Sequence, residues 1–334
     1  MINHHTKKHS SIIIYKSDKL QKCKLKSKNY KYNLTYSLHM LSLNELKAFD
    51  SLPKTITQLA DHLELSKPAA YNISEKLVQK GLAQKNRQGK KVIVSREKTL
   101  HAQNLKEIQQ NIERLPINQL LSQTSLPIIS LLDYTLRSKE ITQILNITRQ
   151  WTSKQLKKLG EHGLILKEKK EYTINPVHKK IQRFASHYYQ FQHNQHITKI
   201  DDNAQIIWQH GPEFLFSTKK KISSFPFTAL SAFPSYNLPL ISNTYYYFHS
   251  ERSLDVSDFI IQTLLIMPQS KTYYSYACLL YEEKTPRNLL KKARLYNITN
   301  LIEDMITFLK TKQPTKYSPE WKDYETLAKQ YGVR

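Results

Sequence analysis

Polar and apolar positions follow the same pattern twice in the first half of the chain, and equivalent positions of the two copies are about eighty residues apart. In each copy, a short segment whose apolar residues have helical spacing is followed by a few turn residues. A longer segment then begins polar and becomes apolar. The short segments are residues 57–63 and 138–145, and the longer segments are residues 68–82 and 149–160. The predicted helix in each longer segment stops at a glycine, Gly81 or Gly160, so each copy predicts two helices joined by a tight turn.

Each helix pair is followed by a segment that is typical of a β-hairpin. Residues 82–95 form two extended runs around a basic turn that contains Gly89, and residues 164–174 are a shorter version of the same pattern. Helices followed by a two-stranded hairpin describe a winged helix. The chain resembles archaeal and bacterial winged-helix transcription regulators over residues 41–96 and 120–176. The resemblance implies that the second helix of each pair enters a groove of DNA.

The predicted fold class is mixed α+β and mainly α, with two tandem winged-helix domains followed by a C-terminal α+β domain. The first helix of the second domain is predicted over residues 126–134. The predicted regions are a basic leader at 1–39, winged-helix domain 1 at 40–97, a connecting helix at 98–116, winged-helix domain 2 at 117–176, the C-terminal domain at 177–313 and a tail helix at 314–334.

The C-terminal region differs from the repeats in having aromatic, extended segments. Its predicted strands are residues 205–208 and 240–248, since these are rich in β-branched and aromatic residues. Its predicted helices are residues 177–192, 255–267, 273–281, 287–296 and 299–309.

The chain is strongly basic, with a net charge of +24 and a pI of 9.7. Such a charge favours a polyanionic partner, of which nucleic acid is the commonest. Lysine outnumbers arginine by 41 to 10, a usage that an AT-rich genome also produces. The leader at 1–39 has nine lysines and one acid; a basic DNA-binding arm, a disordered leader and a start of translation at Met40 all remain open for it.

Cysteine usage and hydropathy point to the cytoplasm. Cys23 and Cys278 are far apart in the sequence and form no metal-binding spacing, which is typical of a reducing compartment. No run approaches the ~18 apolar residues that a membrane span needs. The sequence therefore predicts a cytoplasmic protein with no membrane partner.

The candidate DNA contacts of the first repeat lie on its second helix and its wing. Ser66 is the predicted N-cap, and Asn72 is the best candidate for base reading, because its amide can pair bidentately with adenine. Lysines of the helix and the wing suit phosphates. The candidate residues are Ser66, Lys67, Tyr71, Asn72, Lys76, Lys85, Arg87, Lys90 and Lys91.

The second repeat supplies a similar set. Thr148 is the predicted N-cap, and Arg149 and Gln150 carry groups that suit guanine and adenine edges. Trp151 has helical spacing with Leu156 and Leu159 and is predicted to be a core residue; stacking on a sugar or insertion into a groove is the alternative. Glu168 and Glu171 interrupt the basic wing, which makes the first repeat the stronger candidate for DNA reading. The candidate residues are Thr148, Arg149, Gln150, Ser153, Lys154 and Lys157.

Three segments of the C-terminal region resemble AbiEi-like antitoxin regulators of bacterial abortive infection. They are residues 227–233, 254–265 and 289–298. The pattern of that group has a glycine where this chain has Ala229. The resemblance implies a domain that binds a protein or senses a signal.

Features of catalytic sites are missing from the sequence. There is no Walker loop, nucleophile elbow or clustered His/Cys set, and the whole chain has six glycines. Asp255 and Asp258 lie three residues apart at the start of a predicted helix, where acids cap the helix. The sequence predicts no enzyme, no cofactor and no metal.

The predicted function is that of a DNA-binding transcriptional regulator with double-stranded DNA as its partner. A replication initiator with paired winged helices and an antitoxin that binds a partner toxin are the alternatives. A homodimer, and a protein partner of the C-terminal domain, are left open.

Overall fold

A computed structural model describes residues 41–89, 91–111, 115–122, 125–240 and 242–333. The predictions for the leader at 1–39 and for Lys90 lie outside the described residues. Helices and short three-stranded sheets alternate along the chain, and helices predominate. The predicted mixed, mainly helical class is therefore confirmed.

The first repeat comprises three helices and a small antiparallel sheet. Its elements are α1 (Leu43–Ser51), β1 (Lys54–Thr55), α2 (Ile56–Leu63), α3 (Lys67–Gln79), β2 (Ala83–Gln88) and β3 (Lys91–Arg96). Capping boxes start α1 at Ser42 and α2 at Thr55, where a side-chain oxygen accepts a backbone N–H that the helix leaves unpaired. Strand β3 lies between β1 and β2, so the predicted hairpin is confirmed.

Two helices, α4 (Leu100–Asn111) and α5 (Ile117–Leu120), connect the repeats. Helix α4 lies within the helix predicted at 98–116. Its buried positions, His101, Ala102, Leu105 and Ile108, lie on one face at helical spacing.

The second repeat has the same order of elements. They are α6 (Ser125–Ser130), β4 (Leu136–Arg137), α7 (Ser138–Leu145), α8 (Arg149–Glu161), β5 (Ile165–Glu168) and β6 (Glu171–Ile174). Strand β6 lies between β4 and β5, and the predicted hairpin is confirmed. The helix predicted over 126–134 is shorter, since α6 ends at Ser130. Helix α8 continues through Gly160, and Gly163, with φ +67°, takes the role that Gly81 has in the first repeat.

The C-terminal region begins with a long helix and a three-stranded antiparallel sheet. Helix α9 (Lys179–Thr198) precedes β7 (Gln205–His210), β8 (Glu213–Thr218) and β9 (Tyr245–His249). The strand predicted over 240–248 begins only at Tyr245. The central strand, β8, was not predicted. Its residues Phe214, Leu215 and Phe216 are all buried, so both faces of this strand are covered.

Five helices complete the C-terminal region, and they agree with the predicted segments. They are α10 (Val256–Ile266), α11 (Lys271–Lys284), α12 (Leu289–Ala293), α13 (Thr299–Thr311) and α14 (Trp321–Gln330). In α14, Tyr324 is fully buried against Phe308 of α13, and its hydroxyl donates a hydrogen bond to Glu282 of α11. The tail helix is thus packed into the C-terminal region.

Helix α9 packs against both α4 and α6. Phe191 lies so close to Gly81 that a Cβ there would be 2.2 Å from the ring, and Gly81 has φ +65°. Both the backbone conformation and the space therefore require glycine at this helix end. No helix of the described residues has the length and apolar character needed to cross a bilayer.

Candidate nucleic-acid interface

Helix α3 presents the predicted contacts of the first repeat to solvent. Ser66 is the N-cap, and its hydroxyl accepts a hydrogen bond from the Ala69 N–H at 3.4 Å. Ala70, Ser74 and Leu77 form the buried face. The exposed residues on the opposite side include Ser66, Lys67, Tyr71, Asn72 and Lys76. Since the backbone N–H groups of a helix start also attract anions, this end of α3 suits a phosphate backbone.

The wing of the first repeat divides its basic residues into two kinds. Arg87 and Lys91 are exposed near the tip, where Gly89 has φ +59°, and the Arg87 Nε donates to the Gly89 carbonyl at 3.3 Å. Lys85 is different: it forms an ion pair with Glu75 of α3, and its Nζ lies 3.9 Å from the centre of the Tyr71 ring. The structure thus brings Tyr71, Glu75 and Lys85 into one cluster that sequence spacing does not indicate.

Helix α8 is the equivalent element of the second repeat. The Thr148 hydroxyl caps it by accepting from the Trp151 N–H at 3.2 Å. Thr148, Arg149, Gln150, Ser153, Lys154 and Lys157 are all exposed.

Trp151 is not the core residue that was predicted. It is half-buried, with the Lys154 Nζ 5.8 Å from its ring centre, and its neighbour Thr152 is fully buried instead. The Thr152 hydroxyl donates to the Thr148 carbonyl at 3.1 Å, which lets a polar side chain occupy the inner face.

The two repeats match residue by residue through these helices. Glu64 and Asn146 have φ of 55° and 50°, Ser66 and Thr148 are N-caps, and Gly81 and Gly163 have φ of 65° and 67°. The members of each pair have the same spacing along the chain. Leu82 N–H donates to the Leu77 carbonyl at 2.9 Å, and Leu164 N–H donates to the Leu159 carbonyl at 3.0 Å. The same backbone unit therefore occurs twice, and each copy exposes the start of its last helix.

The second repeat contacts the C-terminal region through α7, the segment between α6 and β4, and its sheet. Arg294, which follows α12, reaches Glu140 of α7 at 3.1 Å and Glu171 of β6 at 2.8 Å. The Tyr134 hydroxyl donates to the Leu295 carbonyl at 2.6 Å, and the Tyr134 ring stacks on the His210 ring. Glu171, one of the two acids expected to weaken the field of the second wing, is thus paired with Arg294 and with Arg137 at 3.1 Å.

Charged side chains are also buried inside the C-terminal region. Arg252 lies 2.8 Å from Glu213 of β8 and 2.7 Å from Asp258 of α10, and it donates to the Tyr296 hydroxyl at 2.6 Å. Lys292 pairs with Asp258 as well. Burial opposes ionisation of Asp258, but Arg252 and Lys292 outweigh it and lower the pKa of that carboxyl.

This buried charge cluster was not predicted. Asp255 and Asp258 were assigned as helix caps, and this is confirmed, because the Asp255 carboxylate accepts from the Ser257 N–H and Asp258 completes a capping box. The additional partners of Asp258 come from distant segments, and the lone Arg252 beside an aromatic strand was the only sequence signal. Among the described residues, no group of three His, Cys, Asp or Glu side chains is placed to hold a metal ion.

Comparison with known proteins bears on the C-terminal region. A family model described as HVO_2833_C, C-terminal, matches residues 222–333. No curated protein and no solved structure matches the chain. The matched range includes α14 and most of the buried charge cluster, and it lies outside both repeats, so the resemblance of the repeats to winged-helix regulators stays a prediction.

Proposed function

We propose that the two repeats are winged helix-turn-helix domains and that the protein is a duplex-DNA-binding transcriptional regulator. The observation that supports this proposal most strongly is the repeated backbone unit, in which the N-terminus of the last helix is capped and exposed. In a helix-turn-helix, the N-terminal residues of the second helix contact the major groove. Two units in one chain would read two adjacent segments of DNA.

Charge supports the same proposal. Of the candidate contacts, Lys67, Lys76, Arg87, Lys91, Arg149, Lys154 and Lys157 are exposed basic residues. Acids that belong to the repeats are in part neutralised internally, as Glu75 is by Lys85 and Glu171 by Arg137 and Arg294. The surface that remains favours a phosphate backbone.

The test is the salt dependence of duplex binding by the full-length protein. Six or more phosphate contacts give a slope of log K against log salt of about −5 or steeper, at roughly −0.9 per contact. Lys322→Ala, an exposed lysine of α14, is the matched control and should leave the slope unchanged. A slope flatter than about −2 would contradict DNA binding.

One observation favours a second role for the C-terminal region. Ala229 has φ +46°, a left-handed conformation that favours glycine, and it stands where the AbiEi-like pattern has its glycine. This supports the antitoxin-type alternative, in which the C-terminal domain binds a toxin. Co-expression with the product of the neighbouring gene tests it: the neighbour should arrest growth alone, and this chain should relieve the arrest. A harmless neighbour would remove the reason for this alternative.

A further inference from the structure

Tyr71 is a large aromatic side chain on the outer face of α3. It is 49% exposed, next to Asn72, and one helical turn before Glu75. An exposed ring on the helix that would enter the groove adds an apolar surface among polar groups.

The ring is held in place from two elements. The Lys85 Nζ of β2 lies 3.9 Å from the ring centre, and Lys85 also forms an ion pair with Glu75. The Tyr71 hydroxyl shares a hydrogen bond with Glu75, which raises the pKa of Tyr71. The hydrogen bond from Lys85, and to a smaller extent the one from Tyr71, lowers the pKa of the Glu75 carboxyl.

These contacts give Lys85 a different task from the other basic residues of the wing. Its side chain is 18% exposed and its charge is matched by Glu75, whereas Arg87 and Lys91 are exposed at the tip. A phosphate contact by Lys85 would compete with its ion pair to Glu75. Lys85 therefore should not add to counterion release.

We propose that Tyr71 is a specificity-determining residue that contacts the 5-methyl group of a thymine, and that Lys85 and Glu75 are positioning residues that hold its ring. The inference rests on the proposed DNA-binding function. The thymine methyl is the apolar feature of the major groove, and a side chain contacts it without a polar partner. A ring already fixed by Lys85 and Glu75 loses little conformational freedom on binding.

The experiment begins with duplexes that the full-length protein selects from random DNA. Each thymine of the selected site is then replaced, one at a time, by deoxyuridine, which lacks only the methyl group. One replacement should weaken binding about fourfold, which corresponds to the burial of one methyl group. In Tyr71→Ala, thymine and uracil at that position should bind equally. Tyr71→Phe keeps the ring over Lys85 and loses the hydrogen bond to Glu75, so it should keep part of the preference.

The positioning role is tested with a matched pair of wing variants. Lys85→Met should bring the thymine-to-uracil ratio toward one and leave the salt slope unchanged. Lys91→Met should flatten the slope by about 0.9 and leave the ratio unchanged. Thermal unfolding of each variant is the control for whether the fold is retained.

The outcomes separate this inference from the proposed function. Absence of duplex binding overturns the proposed function. Duplex binding without an enriched site, or with no thymine that responds to deoxyuridine, overturns the role of Tyr71. The wild-type scan gives this result even if every variant fails to fold. A salt slope that Lys85→Met flattens as much as Lys91→Met makes Lys85 a phosphate contact and overturns its positioning role.

Discussion

The two repeats have the same backbone and different surroundings. In the first, the hairpin reaches back to its own helix through Lys85, and a buried ion pair joins Lys80 to Glu45 at 2.7 Å. In the second, Arg294 and Leu295 of the C-terminal region hold the sheet and the segment after α6. The difference shows that the hairpin of such a unit can be held by its own helix or by the C-terminal region, while the same helix start stays exposed.

The largest expected effect is at a position that the repeats share, Lys80 in the first and His162 in the second. Lys80 is buried with Glu45, whereas His162 is half-exposed. Lys80→Met leaves the Glu45 carboxylate buried without its cation and should lower the free energy of unfolding by about 3–5 kcal/mol. His162→Met should change it by less than about 0.5 kcal/mol.

Urea unfolding of both variants measures this contrast. Adding Glu45→Gln to Lys80→Met should recover part of the loss, because the uncompensated charge is removed. Equal losses at Lys80 and His162 would show that the Lys80–Glu45 pair does not distinguish the repeats.

A second shared position carries Asn72 in α3 and Lys154 in α8. If Asn72 pairs with an adenine, Asn72→Ala should cost about 1–3 kcal/mol on the selected site and little on random DNA. Lys154→Ala should weaken binding to all sequences alike and flatten the salt slope by about 0.9. Titrations of both variants with the selected site and with random DNA at several salt concentrations measure this contrast. Equal losses on both DNAs for Asn72→Ala would show that Asn72 contacts the DNA backbone.

The junction of α4 and α9 beside the first repeat should make stability depend on pH. Burial lowers the pKa of His101 below its ordinary 6.5, and burial also lowers that of His187, which Asn104 contacts at 2.9 Å. The unfolded chain then binds more protons than the folded one as pH falls below about 6.5. The free energy of unfolding should therefore decrease below about pH 6.5, by at most ~1.4 kcal/mol per proton and pH unit.

Urea unfolding between pH 7 and pH 5 measures the slope of the free energy of unfolding against pH. His101→Gln should reduce it, and an unchanged slope would exclude His101 as a source.

The smallest expected effect is at the attachment of the second repeat. Arg294 is about one-third exposed, with Glu140 and Glu171 as partners. Arg294→Met should lower the free energy of unfolding by less than about 1 kcal/mol, since water screens such pairs. Arg287→Met, an exposed arginine of the same region, is the control. A loss as large as that of Lys80→Met would mean that the C-terminal region is as important to the second repeat as the buried ion pair is to the first.

The sequence determined the features that depend on neighbouring residues. Ser66 and Thr148 are helix caps and Asp255 starts α10, because each side chain bonds to a backbone N–H within three residues. The hairpins and most helix bounds also depend on neighbouring residues, because the spacing of apolar positions distinguishes helices from strands over a few residues. The second glycine was placed at Gly160 instead of Gly163, since a glycine within α8 and a glycine after it look alike in the sequence.

Only the tertiary structure decided which polar groups meet across the chain. Strand β8 is recognised by its place between β7 and β9, and Arg252 by partners on β8 and α10. Lys85 is predicted from the sequence to contact a phosphate, and only the structure shows that Tyr71 and Glu75 of α3 lie beside it. Trp151 was predicted to be a core residue, but in the structure Thr152 is buried on the inner face of α8 and Trp151 is half-buried. In each case the environment of a side chain is set by residues distant in sequence, and their approach depends on the packing of the whole fold.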